Sequence, residues 1–363
     1  MDPSQYLAFS DVDLVASSRR QREELKQAEN EFKDPESQNR KQNRSFNLWF
    51  SRKSIVSTYL TGKWRSGACY VFFDGRVVLG PRWQAFMVSL SLFLLLACAC
   101  VRDVTHPLLT EDHSSSVQLV AYLVHILLAA NIVLILLTGL TNPGIVPRED
   151  GVSPDADPKT IDSTTGYLIP RYLLLNGVGV RQKYCRTCHV YRPPRSNHCT
   201  VCDNCVLRHD HHCLALGTCV GLGNYRWFLL LSGCLCLLCP LSFWLAQKRL
   251  LSEYILREFE LVPFVLENFM LIVVAIASFI GTLAFGLLFM YHYFITSHNL
   301  TTNEHLKKYY KVNPFDYGKW VNFQHVLCFP QELLPVPERI EADASYRELA
   351  SGNSECVSDF YDY

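Results

Sequence analysis

The chain has 363 residues, with 34 basic and 34 acidic side chains and no net charge, so its bulk charge points to no nucleic-acid partner. Hydrophobic residues make up 49% of the chain and gather in long runs, which excludes a purely soluble domain of this length. The chain also has 15 cysteines. Seven of these fall between Cys185 and Cys219 at short regular gaps, and no secretory signal opens the sequence, so they read as metal ligands in a reducing compartment, not as disulfides.

Residues 1–50 are polar, and the run EELKQAENEFKDPESQNRKQNRS predicts a disordered cytosolic tail. Residues 51–140 hold a cytosolic pre-membrane segment and two apolar spans, Gln84 to Val101 and Val117 to Leu140. A bilayer core needs about 20 such residues per helix. Residues 141–224 form the cysteine-rich cytosolic module. Residues 225–295 hold a third span, Tyr225 to Ala246, and a fourth, Asn268 to Ile295, and residues 296–363 follow as a cytosolic region. None of the four spans shows the polar face of a soluble helix. The fold class is therefore an all-α polytopic membrane protein with a cysteine-rich module between helices two and three. Lys and Arg number 14 in residues 1–83, 10 in 141–226 and 6 in 296–363, which places both termini and the module on the cytosolic side. On that topology the sequons at Asn43 and Asn299 stay unmodified.

The module reads CRTCHVYRPPRSNHCTVCDNCVLRHDHHCLALGTC from 185 to 219. Two C-x-x-C knuckles, Cys185/Cys188 and Cys199/Cys202, are joined by His198, Cys205, His212 and Cys219. Eight ligands suffice for two tetrahedral sites of three thiolates and one imidazole, a shell that suits zinc. Adjacent residues point apart, so His198 is expected to join Cys185, Cys188 and Cys205. Cys199, Cys202, His212 and Cys219 then form the second site. His189 and His209 are left over and read as surface residues.

The tetrad Asp210-His211-His212-Cys213 closes the module. With His212 on a metal, His211 and Cys213 remain for chemistry. A cysteine attacks as its thiolate, a neighbouring imidazole takes its proton, and Asp210 can orient that imidazole. Cys213 lies 12 residues before Tyr225, at headgroup level, where one thiol can meet both an acyl chain in the bilayer and a cytosolic protein thiol. Phe228, Leu231, Leu235 and Leu238 share a face of span three and are candidates to line an acyl cavity, packing being the plainer reading. His125, Asn131 and His292 in the spans read first as inter-helix hydrogen-bonding groups. Thr302 and Glu304 either cap a helix or position the site, and Asn224, heading span three, is a further positioning candidate. Arg171, Arg181, Lys183 and Arg186 are basic groups suited to phosphates or anionic lipid.

These motifs together resemble the DHHC family of protein S-acyltransferases (palmitoyltransferases) over about residues 59 to 320. Thr301-Thr302-Asn303-Glu304 is similar to the family's TTxE motif, Asn142-Pro143-Gly144 to its DPG motif with Asn for Asp, and Asn313-Pro314-Phe315-Asp316-Tyr317-Gly318 to its C-terminal element. The resemblance implies that palmitoyl-CoA acylates Cys213 and that the acyl group then passes to a substrate cysteine, with His211 as base and Asp210 as its partner. It also implies two zinc ions on the eight ligands. Lys63-Trp64, Phe73-Asp74-Gly75-Arg76-Val77 and Arg192-Pro193-Pro194-Arg195 are similar to the subfamily that acylates Ras-like GTPases with a small accessory subunit. An ER or Golgi address is implied the same way.

The chain departs from the family pattern in several places. Leu214-Ala215-Leu216 stands where the family has Pro-Trp-Val, so the tryptophan of the acyl cavity is absent. Thr218 replaces Asn, Leu222-Gly223 replace a basic pair, and Phe323-Gln324 replace paired cysteines, leaving Cys328. The alternative reading is an adaptor that keeps the fold and the metals without turnover. A transporter is disfavoured because the spans contain almost no ionisable groups.

Overall fold

The computed structural model describes residues 67–328, apart from 74, 112–113, 150–160, 162, 165, 176–177 and 257–260. The expected tail at 1–50, the sequon at Asn43 and Lys63-Trp64 lie outside the described residues. Among the described residues, four helices are long and apolar enough to cross a membrane: Trp83–Thr110, Ser115–Leu140, Tyr225–Leu256 and Phe269–Ser297. Mostly helical, with its cysteine-rich region between the second and third of these, the chain has the expected fold class.

The first span comprises α1 (Trp83–Ala99), a π-helical stretch at Cys100–Thr105 and α2 (His106–Glu111). It runs past the sequence-based end at Val101. Wide π turns often mark an inserted residue or an inter-helix contact. Here Thr105 Oγ1 lies 3.3 Å from Nε2 of His125 on the second span, α3 (Ser115–Leu140). The third span, α4 (Tyr225–Leu256), is ten residues longer than its apolar core suggested, about 48 Å at 1.5 Å per residue. The short α5 (Leu261–Glu267) leads to the fourth span, α6 (Phe269–Ser297).

The spans pack through Ala97, Val104, Val117, Val124, Leu238, Leu245 and Val274, all buried. Polar groups lie among them: Nδ1 of His292 is 3.1 Å from the Tyr225 hydroxyl, across helices. Asn131 instead donates to Leu127 O in its own helix at 2.8 Å, and so does not make the expected inter-helix bond through that group.

Outside the spans, the described residues include five antiparallel strand pairs. β1 (Tyr70–Phe72) pairs with β2 (Val77–Leu79), β3 (Arg171–Leu175) with β4 (Val178–Gln182), and β5 (Tyr184–Cys185) with β6 (Val190–Tyr191). β7 (Asn197–Cys199) pairs with β8 (Asn204–Val206), and β9 (His211–Cys213) with β10 (Thr218–Val220). Two-stranded pairs this short are unstable alone. Three of them, β1–β2, β7–β8 and β9–β10, share a small core of Cys69, Val78, Ile145, Cys199, Cys202, Val206 and Cys219. Two short helices follow span four, α7 (Thr302–Leu306) and α8 (Lys319–Leu327).

The turn Asn142-Pro143-Gly144 joins span two to this module. Asn142 Oδ1 accepts from Gly144 N at 2.9 Å and Ile145 N at 3.0 Å, while its amide donates to Gly75 O at 2.9 Å. A carboxylate could accept the first two but not donate the third. The Asn-for-Asp departure therefore adds a tie to the β1–β2 hairpin.

Candidate active site and metal-binding module

Successive side chains of a strand point to opposite faces, and cross-strand partners share one. In β7–β8 the register pairs His198 with Cys205 and Cys199 with Asn204. In β9–β10 it pairs His212 with Cys219 and Cys213 with Thr218. Alternation thus sends His198 and Cys199 to different clusters, and turns His212 away from His211 and Cys213.

Two groups result: Cys185, Cys188, His198 and Cys205, and Cys199, Cys202, His212 and Cys219. The donor atoms of each lie within 4.8 Å of one another. Nδ1 of His198 sits 3.5, 3.4 and 3.9 Å from the sulfurs of Cys185, Cys188 and Cys205. Nδ1 of His212 sits 3.7, 3.4 and 3.7 Å from those of Cys199, Cys202 and Cys219. Buried thiols converging on one imidazole nitrogen fit a tetrahedral metal ion far better than they fit one another. Each cluster could hold one ion.

The surroundings of the clusters supply residues that sequence reasoning missed. Asp203 Oδ1 lies 3.5 Å from Nε2 of His198, on the far side from the sulfurs. Carboxylates commonly orient metal-bound imidazoles from that position. Arg148 holds Asp203 in turn. His209 is not a surface residue: it is buried, with Nε2 3.7 Å from Cys219 Sγ. His189 is half-buried and stacks on Tyr167.

On the other face of β9, Nδ1 of His211 lies 2.7 Å from Asp210 Oδ2. Cys213 is carried two residues on along the same strand, on the same face as His211. Asp210 is buried. Thr302 donates to it twice, from its N–H to Oδ1 at 2.8 Å and from its hydroxyl to Oδ2 at 2.7 Å. Burial pushes the Asp210 carboxyl up, but His211 and the Thr302 N–H hold it down at about 2. Burial pushes His211 down, and Asp210 and Cys213 together raise it to about 9. Burial raises the Cys213 thiol, and His211 more than offsets this, lowering it. The three groups together shift the pair toward a thiolate beside an imidazolium.

The TTxE-like segment is the brace for this arrangement. Thr301 caps α7, accepting from Glu304 N, while Glu304 Oε2 accepts from Thr301 N at 2.8 Å. Glu304 also takes Arg195 through a bidentate contact, Nε to Oε1 at 2.9 Å and Nη2 to Oε2 at 2.8 Å. Arg195 donates to Asn299 as well and stacks over the Phe315 ring at 4.4 Å. Asn299 is buried and its amide donates to Phe315 O at 2.7 Å, so this sequon has no free side chain for a glycan. Arg208, another residue missed from the sequence, is buried with its guanidinium 4.7 Å from the centre of the Tyr225 ring. Asn224 is buried, accepts from Gly221 N, and donates to Thr138 O and Cys219 O, each at 3.0 Å. It therefore links span two, the second cluster and the head of span three.

Beneath Cys213 a cavity of about 400 Å³ enters the helix bundle. Cys213, Ala215, Leu216, Phe228, Leu231, Leu235 and Leu238 line it, with Gly281 from span four. The lining is almost wholly apolar, and the volume is typical of a ligand pocket. Ala215, which lines the cavity, stands where the resemblance places the family's tryptophan. A separate polar recess of about 130 Å³ gathers Arg181, Lys183 and Arg192 with Tyr309 and Tyr310. Leu222 is buried, and Gly223 lies too close to the Asn142 carbonyl for a side chain, so no basic pair projects there.

The sequence model of the DHHC palmitoyltransferase family matches residues 179–309. "Probable protein S-acyltransferase 5" of Arabidopsis thaliana is 31% identical over 288 residues, 76% of this chain and 59% of the relative. "Protein S-acyltransferase 8" of the same plant is 31% identical over 283 residues, covering 73% of this chain and 68% of the relative. "Palmitoyltransferase ZDHHC18" of Mus musculus is 32% identical over 278 residues, 71% of this chain and 70% of the relative. The chain thus spans about three fifths of the first of these and more than two thirds of the other two. Similarity of that extent reaches well beyond the cysteine-rich module into the spans on both sides of it, and the chain belongs to the DHHC palmitoyltransferase family.

Proposed function

We propose that this protein is a protein S-acyltransferase that moves a palmitoyl-type group from acyl-CoA to cysteines of membrane-associated proteins, with Cys213 as the acyl carrier. One observation carries the reading: Cys213 lines an apolar cavity and shares a strand face with His211, which Asp210 holds. The lipid chain has a place below the sulfur, and the base stands beside it.

In the first step the Cys213 thiolate attacks the thioester carbonyl of acyl-CoA. The C–S bond to CoA breaks, and the departing sulfur takes the proton held on His211. In the second step His211 accepts the proton of a substrate thiol, whose sulfur attacks the acyl-Cys213 carbonyl and releases the Cys213 thiolate. Asp210 keeps the imidazole oriented and stabilises its charged form throughout. Thioester exchange is nearly isoenergetic, so no further energy source is required.

The eight ligands would hold two zinc ions, which supply folding energy and fix the strand carrying His211 and Cys213. Phe228, Leu231 and Leu238 are the proposed acyl-cavity residues, and Thr302, Glu304 and Asn224 the positioning residues. On this reading residues 1–50 and 296–363 are cytosolic, and the module of 141–224 faces the cytosol between paired spans. The similarity to the Ras-acylating subfamily supports Ras-like GTPases as substrates, a small accessory subunit as partner and an ER or Golgi address.

The test is acyl-enzyme formation. The full chain, with and without a candidate accessory subunit, is incubated with labelled palmitoyl-CoA and then treated with neutral hydroxylamine. A labile label absent from Cys213→Ala, in protein that retains its zinc, supports the carrier role. Unchanged labelling of the alanine variant, or no label in zinc-replete protein with the subunit present, rejects it.

A further inference from the structure

The β1–β2 hairpin has two apolar faces and only one of them is covered. Its register pairs Tyr70 with Leu79, Val71 with Val78, and Phe72 with Val77. Val71 and Val78 face inward and pack with Cys69 on the core of the second metal cluster. Strand alternation turns Tyr70, Phe72, Val77 and Leu79 to the opposite face. Tyr70 and Phe72 are exposed there, and Phe73 at the tip is 76% exposed. A two-stranded hairpin that is apolar on both faces is unusual in water and invites aggregation.

Its surroundings fix its depth. Asn142, just beyond the end of span two, holds the tip through Gly75 O at 2.9 Å, and Val77 bridges to Thr141. Four residues after β2 the chain enters span one at Trp83, itself exposed. The hairpin therefore lies level with the ends of two spans, in the layer where aromatic side chains collect in membrane proteins. Arg76 and Arg82, both exposed, flank the aromatic face. Cations placed so suit the negative surface of a cytosolic leaflet.

We propose that the outer face of this hairpin, with Tyr70, Phe72 and Phe73, is immersed in the headgroup layer of the membrane and prefers anionic lipid. The same hairpin braces the turn after Cys213. Gly80 lies against the Gly217 carbonyl and Gly217 against the Arg82 carbonyl, too closely for a side chain at either glycine. Lipid contact at the aromatic face thus sets the height of the Cys213 turn above the bilayer.

The test uses the full chain in lipid nanodiscs. Phe73→Trp adds one indole to the six tryptophans present, and its emission is the difference from the unsubstituted protein. Lipids brominated close to their carbonyls are expected to quench that added emission, while aqueous acrylamide leaves it largely intact. In phosphatidylcholine nanodiscs containing phosphatidylserine the bromine quenching deepens, and Arg76→Gln removes that increase. Quenching by acrylamide alone means that the face is in water and overturns the proposal. Protection from both quenchers means that protein covers the face, whether a partner or the chain's own residues 1–66, and also overturns it. Phe72→Trp gives a second reading of the same face, and unchanged metal content in both variants certifies the fold.

Discussion

Thr302 gives the Asp210 carboxylate two hydrogen bonds, and both come from a segment 92 residues away in sequence. A hydrogen bond to a charged group contributes roughly 1.5–3 kcal/mol, and leaving a buried carboxylate short of one forfeits that amount. Thr302→Val removes the hydroxyl donor and keeps the shape. The expected result is a fall of roughly one to two orders of magnitude in the rate of Cys213 acylation, with metal content unchanged, and recovery in Thr302→Ser. Acylation of the valine variant at the original rate would show that the backbone N–H suffices. For His211, His212 and Cys213 the sequence offered only a ligand count; the strand that turns His212 away from the other two shows in the structure alone. The inward turn of His209 was not legible either, since nothing local distinguishes it from an exposed histidine. Arg208 and Asp203 escaped for a similar reason: their partners, Tyr225 and His198, lie on elements whose approach no local pattern records.

The β9–β10 hairpin carries both a candidate metal ligand and the proposed catalytic pair. One face carries His212 opposite Cys219, and the other carries His211 and Cys213. Loss of a metal ligand should therefore reach the opposite face. Cys219→Ser is expected to lose one of two bound metal ions and, with it, acyl-enzyme formation, although Cys213 is intact; metal analysis beside the hydroxylamine assay checks both. Full labelling with one metal missing would uncouple scaffold from site. At the turn that follows, Gly217 has φ +64° and packs against the Arg82 carbonyl. Gly217→Ala meets both obstacles, and a left-handed backbone strain of about 1 kcal/mol or more adds to the clash. Lower thermal stability and slower acylation are expected together, whereas Gly286→Ala, where a side chain meets open space, should change neither. The four spans were readable from hydropathy, but their ends were not. The π stretch at Cys100–Thr105 and the extra turns of α4 lie where polar residues enter helices that other contacts still hold. The β1–β2 hairpin left no periodic signal at all, its strands being three residues long.

On the scale of the whole molecule, the metal module and the segment after span four are joined through Arg195 and Glu304. Both side chains are buried, and the contact is bidentate. Attraction across such a pair largely offsets desolvation, but removing one partner leaves the other uncompensated, at about 3–5 kcal/mol. Glu304→Gln should accordingly lower thermal stability and detach α7 from the module. Thr302 then loses its hold on Asp210, and acylation falls in a variant whose tetrad is untouched. The pH dependence follows from the same pair. Burial pushes the Glu304 carboxyl up, while Arg195 and the Thr301 N–H more than offset this and leave it lowered. A carboxyl lowered in the folded state contributes its stability in full above the ordinary glutamate value of about 4.3, and that contribution is lost as pH falls through the lowered value. Thermal unfolding of the full chain in lipid nanodiscs, followed from neutral pH into the acid range, should show the native protein losing its advantage over Glu304→Gln only in that acid window. A constant difference across the whole range would mean that the glutamine variant suffers from altered packing, with the ionised carboxylate contributing nothing of its own. Equal stability of the two proteins at neutral pH would remove the ion pair from the account of how the spans and the metal module are held together.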